Sequence, residues 1–288
     1  MGVSIVIVFA FAAMLSWGFG DFFIQRSIRK IGGIETLAWI GLIGSIGLLP
    51  FVFKEISLLQ NPSNLLLILG LGIISFASAL FDFKALKEGK LSVTEVMLEA
   101  ELPITIALSY IFLKEVLNTF QAIVILFILF GIILTAIKSF NHFRSRIEKG
   151  VVLAFIAAFL FGFLNVGIGF SSKLLSPLFV IWGSWAVYTV LCLVIIFFQG
   201  GSRKFFSQGL KNKRLILIIG VIDTLAWIFY AFALSKSEVS IVTAITESYP
   251  AIALILGVWV NKEKVLLHQY FGAAIAIVCS VLLSMTIS

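Results

Sequence analysis

The chain has 288 residues, of which 61% are hydrophobic and only 12% are charged, with a mean hydropathy of +1.15. Because a soluble globular domain is about 45–50% apolar and about 25% charged, the composition excludes a soluble protein and indicates one that crosses a membrane several times. The net charge of +7 would suggest nucleic-acid binding in a soluble protein, but here basic loops are expected from the orientation of the helices.

Ten apolar runs, each near the length of about 20 residues that a membrane crossing needs, follow one another along the chain. They predict crossings at about residues 3–23, 34–53, 64–83, 91–113, 119–137, 150–171, 176–199, 214–234, 239–261 and 266–286. No basic segment precedes the first run, so we expect it to be retained as a helix and not removed as a signal peptide.

The distribution of lysine and arginine predicts the orientation. The loops after the odd-numbered crossings hold 17 of the 21 basic residues, and the other four are Lys54, Lys114, Lys173 and Lys236. By the positive-inside rule the odd-numbered loops lie in the cytoplasm and both termini face outward. We therefore expect a multi-pass protein of the plasma (cytoplasmic) membrane.

One stretch occurs twice, at residues 91–115 and 239–263. Each copy has a serine at its second position, a proline near its middle (Pro103 and Pro250), an acid just before the proline, and a final Lys-Glu. A proline and a buried acid are costly in lipid, because the freed carbonyl and the charge both need partners. Two such places in corresponding positions predict helix breaks around a central cavity of a repeated structure.

Each half of the chain contains five crossings. Because five is odd, the second half starts on the opposite side of the membrane from the first, and its topology is inverted. We expect a first repeat at residues 1–140, a basic cytoplasmic loop at 141–149 and a second repeat at 150–288. The predicted fold is an all-α polytopic membrane protein with ten transmembrane helices in two inverted five-helix repeats, as in alternating-access carriers.

The chain resembles the EamA-like branch of the drug/metabolite transporter superfamily in three features. These are its two five-crossing halves, the WGFGDFF segment of the first crossing, and the spacing from each proline to the closing glutamate. The resemblance covers essentially the whole chain. It implies a ten-helix exporter of small organic solutes whose cavity is walled by crossings 1, 3, 4, 6, 8 and 9. Family members carry substrates as different as amino acids and nucleotide sugars, so the resemblance does not name the substrate.

Crossing 4 has three acids where typical members of that family have one, which leaves the coupling residue open. Glu95 and Glu99 are four residues apart and share a helix face, whereas Glu101 points about 160° away from Glu99. We expect Glu99 to face the cavity and Glu95 to reach Lys87 or Lys90. For Glu101 a cavity position and a salt bridge between helices remain alternatives.

Two further acids lie deep in predicted crossings. Glu247 lies three residues before Pro250 and is the strongest candidate for binding a proton or a cationic substrate, with a packing role as the alternative. Asp223 is followed at i+4 and i+7 by Trp227 and Tyr230, which share its helix face. An acid beside two aromatic rings can bind an amine by charge and cation–π attraction, although such rings also occur as ordinary core.

Other candidates complete the predicted site. Trp17, Asn165 and Tyr249 are expected at the substrate, Asp21 at a gating salt bridge, and Asp82 in a surface ion pair beside a basic loop. Pro103 and Pro250 are the expected helix breaks. The proton-coupling candidates are Glu247, Asp223, Glu99 and Glu101.

The predicted function is secondary transport of an amino acid, amine or amphipathic compound by alternating access, with proton coupling as an option. The alternatives are a channel, an interaction protein, or an intramembrane aspartyl protease suggested by the GxGD pattern of residues 18–21. We expect no enzyme activity, cofactor, metal or nucleic acid. The expected partners are the substrate and the bilayer; the chain is expected to be a monomer, with a dimer through crossings 5 and 10 as the alternative.

Overall fold

The computed structural model describes residues 4–88, 97–137, 149–261 and 265–287, and their regular secondary structure is helical throughout. The first half contains α1 (Ile5–Ile31), α2 (Gly33–Val52), α3 (Pro62–Glu88), α4 (Glu101–Leu108) and α5 (Thr119–Ala136). The second half contains α6 (Lys149–Leu174), α7 (Pro177–Phe198), α8 (Ser202–Lys211), α9 (Lys213–Leu234), α10 (Val239–Thr246), α11 (Tyr249–Asn261) and α12 (Leu267–Ser284). A 3₁₀ segment, Phe53–Gln60, follows α2, and a π-helical turn, Ser109–Leu113, follows α4.

In the described part of the chain, nine helices are long and apolar enough to cross a membrane, and Glu101–Leu113 forms a shorter apolar helix. The start of the predicted crossing 4, residues 91–96, lies outside the described residues. The chain is thus an all-helical membrane protein, and the total of ten crossings stays a prediction.

Local sequence signals set where several helices begin. At α5, Asn118 and Gln121 form a reciprocal capping box in which each backbone N–H donates to the other side chain at 2.9 Å. Ser176 caps α7, whose first residue is Pro177; proline is tolerated there because its missing N–H would have no partner inside the helix. These caps satisfy donors that lipid cannot satisfy.

The main helix contacts join the two halves of the chain. Each of four helices of the first half packs on a helix of the second half. These pairs are α1 with α9, α2 with α7, α3 with α6, and α5 with α12. Exchanging the halves converts the α1–α9 contact into the α6–α3 contact, so the packing has an approximate two-fold symmetry. Many of the candidate residues lie on helices that contact one another, namely α1, α4, α6, α9, α10 and α11.

One helix, α8, was not expected from the sequence, which we interpreted there as a basic loop. It is amphipathic, and its Phe205 is buried and stacks on Trp39 of α2 with ring centroids 4.6 Å apart. The missed signal is the spacing of Phe205 and Gly209 four residues apart, since both are buried on one face of the helix.

Candidate substrate site

The two crossings that contain Pro103 and Pro250 are interrupted at corresponding positions. A turn at Glu99 and Ala100 precedes α4, and a turn at Glu247 and Ser248 separates α10 from α11. Glu99 and Glu247 occupy the same place in the two aligned copies, and both are half-buried. Each proline then falls in the first turn of the following helix, where the missing N–H leaves no broken intrahelical hydrogen bond.

Aromatic side chains converge beside the second interruption. Trp17 of α1 lies 5.1 Å from Trp227 and 5.2 Å from Tyr230 of α9, and 6.3 Å from Tyr249 at the start of α11, measured between ring centroids. Trp17, Trp227 and Tyr249 are half-buried, whereas Tyr230 is 1% exposed. The hydroxyl of Tyr230 lies 2.6 Å from that of Thr243 in α10, so Tyr230 ties α9 to α10.

A polar contact joins α6 to the first interruption. The Asn165 side-chain amide donates to Glu101 Oε1 at 2.8 Å and to Thr105 Oγ1 at 3.2 Å. Asp82 of α3 is close enough to act on Glu101 electrostatically. Glu101 and Asp82 therefore form a pair of acids, with Asn165 fixing the orientation of one of them.

A second polar group, formed by Trp185, Tyr188, Asp223 and Thr224, lies beside Trp227. The ring centroids of Trp185, in α7, and Trp227 are 5.4 Å apart. Asp223 is close enough to the Tyr188 hydroxyl for the two groups to interact electrostatically. Trp185 Nε1, Tyr188 Oη and Thr224 Oγ1 are buried and have no hydrogen-bond partner among the described residues. These groups are packed against Gly41 and Gly44 of α2.

Glu115 closes the end of the bundle that is predicted to face outward. Its Oε1 accepts from the Val239 backbone N–H at 2.7 Å, and its Oε2 accepts from the Ser240 N–H at 2.9 Å and the Ser240 hydroxyl at 2.8 Å. Lys173 Nζ, at the end of α6, lies 3.9 Å from Oε1. A single carboxylate thus caps the N-terminus of α10 and connects the ends of three crossings, an arrangement we call the outer latch.

An open polar vestibule of about 420 Å³ lies at the same end as the outer latch. Its lining includes Gln121, Lys173, Ser235, Lys236, Glu238 and Thr286. Burial raises the pKa of Glu238 above its ordinary value of 4.5; the Glu115 carboxylate raises it further, and Lys173 opposes the change. Anionic and cationic groups therefore lie together in this vestibule.

Comparison with known proteins gives the family. The EamA-like transporter family matches residues 4–137 and, a second time, residues 148–285. The chain belongs to the EamA-like transporter family. It is a multi-pass membrane transporter of the drug/metabolite kind, built from two repeats, as the sequence predicted.

A solved crystal structure has the same fold as this EamA-like transporter. It covers 99% of this chain and 98% of its own, with a TM-score of 0.81 and 15% sequence identity. No curated protein matches the chain. The protease alternative gains no support, and Gly18 of its GxGD pattern has a packing role: a Cβ there would lie 2.6 Å from Ile252 of α11.

Most of the predicted site residues of the transporter lie in these groups. Trp17, Trp227, Tyr230, Tyr249 and Glu247 surround the second interruption. Asn165 and Glu101 pair at the first interruption, beside Glu99, and Asp223 belongs to the second polar group.

Other expectations stay predictions, are revised, or fall outside the described residues. Asp82 is half-buried and close enough to Glu101 to act on it electrostatically, and the surface ion pair expected for it stays a prediction. The angle of about 160° between Glu99 and Glu101 assumed an unbroken helix, which the turn at Glu99 rules out. Glu95 and the side chain of Asp21 lie outside the described residues.

Glu115 is a functional candidate that the sequence reasoning missed. The signal was present in the repeated stretch, because each copy has a serine at its second position and ends in Lys-Glu. Only the fold shows that the last residue of the first copy contacts the second residue of the other copy, 125 positions away.

Proposed function

We propose that this transporter is a secondary carrier that exports small organic solutes by alternating access. The proposed substrates are amines, amino acids or amphipathic compounds with a cationic group, and the proposed coupling ion is the proton. The observation that carries this proposal is the cluster of half-buried Trp17, Trp227 and Tyr249 beside Glu247 at the interruption between α10 and α11.

The chemistry of this cluster suits a cation attached to an apolar body. Aromatic faces attract cations and also exclude water from apolar groups. Glu247 lies where α10 ends, at the negative end of its helix dipole, and this favours a positive charge nearby.

Proton coupling is supported by the pairing of Glu101 with Asn165. An amide N–H can donate both to an oxygen of a carboxylate and, more weakly, to the carbonyl oxygen of a protonated carboxyl group. The contact at 2.8 Å can therefore keep Glu101 in place in both protonation states. Because Asp82 is near, one proton shared by this pair of acids would relieve their repulsion, as expected of a site that takes up and releases protons.

Alternating access requires that the two ends of the bundle open in turn. The outer latch holds the outer end through three hydrogen bonds to Glu115. Opening this end separates α10 from the end of crossing 4, and the interruptions at Glu99 and Glu247 let the half-helices move on their own. The interrupted helices of other inverted-repeat carriers surround their substrate in the same way.

Flux into proteoliposomes tests the proposal directly. Uptake of labelled amines, amino acids and aromatic cations is compared with and without a proton gradient for the wild type, Glu247→Gln and the control Glu55→Gln, an acid in the Phe53–Gln60 segment. We expect saturable uptake that responds to the gradient, falls at least tenfold in Glu247→Gln and is unchanged in the control. Saturable uptake that is equal in all three proteins would contradict the role of Glu247, and a gradient-independent flux would contradict the coupling.

A further inference from the structure

We propose that α8 and the groove beside it form a binding site for an anionic phospholipid. This inference is independent of the substrate and direction of transport. It rests on a helix that has basic and apolar faces and that lies against an apolar groove.

The groove is an apolar depression of about 380 Å³ between the end of α7 and α8. Its lining includes Val194, Phe197, Phe198, Ser202, Phe205 and Phe206. Phe198 is 83% exposed and Phe197 is 70% exposed. Phenylalanine side chains beside a helix that lies in the membrane interface can pack against acyl chains, so the groove suits a hydrocarbon chain.

Basic side chains lie on the helix that borders this groove and just beyond its end. Arg203, Lys204 and Lys211 of α8 are exposed and fall within an arc of about 100° around the helix. Lys213 and Arg214, just beyond α8, add two more exposed positive charges. No acid occurs between residues 199 and 222, and none of the five forms a salt bridge with the described residues.

The apolar face of α8 has two parts with different surroundings. Phe205 is buried on Trp39 and holds the helix against α2. Phe206 and Leu210 are four residues apart and are 56% and 71% exposed. A helix with this division lies in the plane of the membrane interface, with its apolar residues in the acyl boundary and its basic residues among the head groups.

The two features together select the ligand. A free phosphate or a nucleic acid would use the basic residues and leave the groove empty, while a neutral lipid would fill the groove and leave the charges without partners. A phospholipid with a net negative head group uses both. Its phosphate contacts Arg203 and Lys204 near Ser202 at the mouth of the groove, and one acyl chain lies along Phe197 and Phe198.

The orientation predicted from the basic residues agrees with this assignment. The loop that contains α8 is expected on the cytoplasmic face, where anionic lipids attract basic segments. Each lysine or arginine near such a surface raises affinity about fivefold. Loss of two of them is therefore expected to weaken binding about 25-fold.

The test is native mass spectrometry of the full chain in detergent, with added phosphatidylglycerol or phosphatidylcholine. The test variant is Arg203→Gln with Lys204→Gln. The control is Lys54→Gln with Lys236→Gln, which removes the same charge from exposed residues at the opposite end. We expect tighter binding of phosphatidylglycerol than of phosphatidylcholine, about 25-fold weaker phosphatidylglycerol binding in the test variant, and less than twofold change in the control.

Further measurements separate the contributions of charge and of apolar contact to lipid binding. Phe206→Ser is expected to weaken binding of both lipids, because it removes apolar contact and no charge. Equal binding of the two lipids, or an equal loss in the test and control variants, would overturn the proposal. Glycerol 3-phosphate that competes at the same concentration as phosphatidylglycerol would also overturn it, since it lacks an acyl chain. Matching thermal unfolding midpoints without added lipid establish that the variants are folded.

Discussion

The outer end of the bundle depends on one buried side chain, Glu115, and its replacement by glutamine is expected to open that end. Glu115 is 9% exposed, and its two oxygens accept three hydrogen bonds from Val239 and Ser240. Glutamine has nearly the same shape but only one acceptor oxygen and no charge. The variant therefore removes acceptors without leaving a cavity.

The cost follows from these contacts. If the glutamine oxygen replaces Oε2, the variant keeps the Ser240 bonds and loses the one to Val239, and in the other orientation it loses both Ser240 bonds. At least one hydrogen bond to a charged group disappears, which costs about 1.5–3 kcal/mol. Loss of the negative charge at the N-terminus of α10 adds about 0.3–1 kcal/mol, and Lys173, which is partly exposed, adds little. A total of about 2–4 kcal/mol corresponds to an opening equilibrium shifted about 30- to 700-fold.

Labelling by a membrane-impermeant maleimide measures this opening. The reporter is Ile241→Cys, because Ile241 is 3% exposed and borders the vestibule; Cys192 and Cys279 are first replaced by alanine. The matched control is Glu238→Gln, since Glu238 is the N-cap residue of α10 but its side chain makes no capping hydrogen bond. We expect labelling at least tenfold faster in Glu115→Gln and within twofold of the parent in the control. Equal labelling of Glu115→Gln and its parent would refute the outer latch.

Three further predictions concern stability. Gly272→Ala should cost about 1–3 kcal/mol, because its Cβ would lie 2.5 Å from a backbone oxygen of α5, whereas Gly70→Ala meets nothing within 4 Å and should be neutral or stabilising in the same thermal unfolding assay. Asn165→Leu should cost about 1–3 kcal/mol, because Glu101 loses its amide donor while remaining in place; unchanged stability would show that the contact is not needed. Since the pKa of Glu238 is raised in the folded chain, the native state binds that proton more tightly than the unfolded chain, so stability falls as pH rises above 4.5. Glu238→Gln should flatten this part of the pH profile, and an unaltered slope would contradict the assignment.

The sequence predicted the features that arise from composition and from the repeat. Long apolar runs specify helices wherever lipid is the solvent, so most crossings agree with the observed helices within a few residues. The interruptions were also predictable, because Pro103 and Pro250 each follow an acid in an otherwise apolar stretch. The family then followed from the repeat and its motifs.

Features that depend on contacts between distant segments were missed. No spacing along the chain shows that Glu115 reaches Ser240, or that Asn165 donates to Glu101, since these contacts depend on how the halves pack. The angle assigned between Glu99 and Glu101 also took no account of the turn at Glu99 and Ala100. The helix α8 was missed because its charges favoured a loop, although its buried Phe205 and Gly209 have helical spacing.

Counterflow in proteoliposomes tests the central claim, that this protein is a carrier whose site faces the two sides of the membrane in turn. Vesicles are loaded with an unlabelled substrate from the flux panel and diluted into a trace of the same substrate in labelled form. We expect a transient accumulation of label above equilibrium, which is abolished in Glu247→Gln and retained in Glu55→Gln. Label that only equilibrates, without an overshoot and without saturation, would indicate a channel and would contradict alternating access.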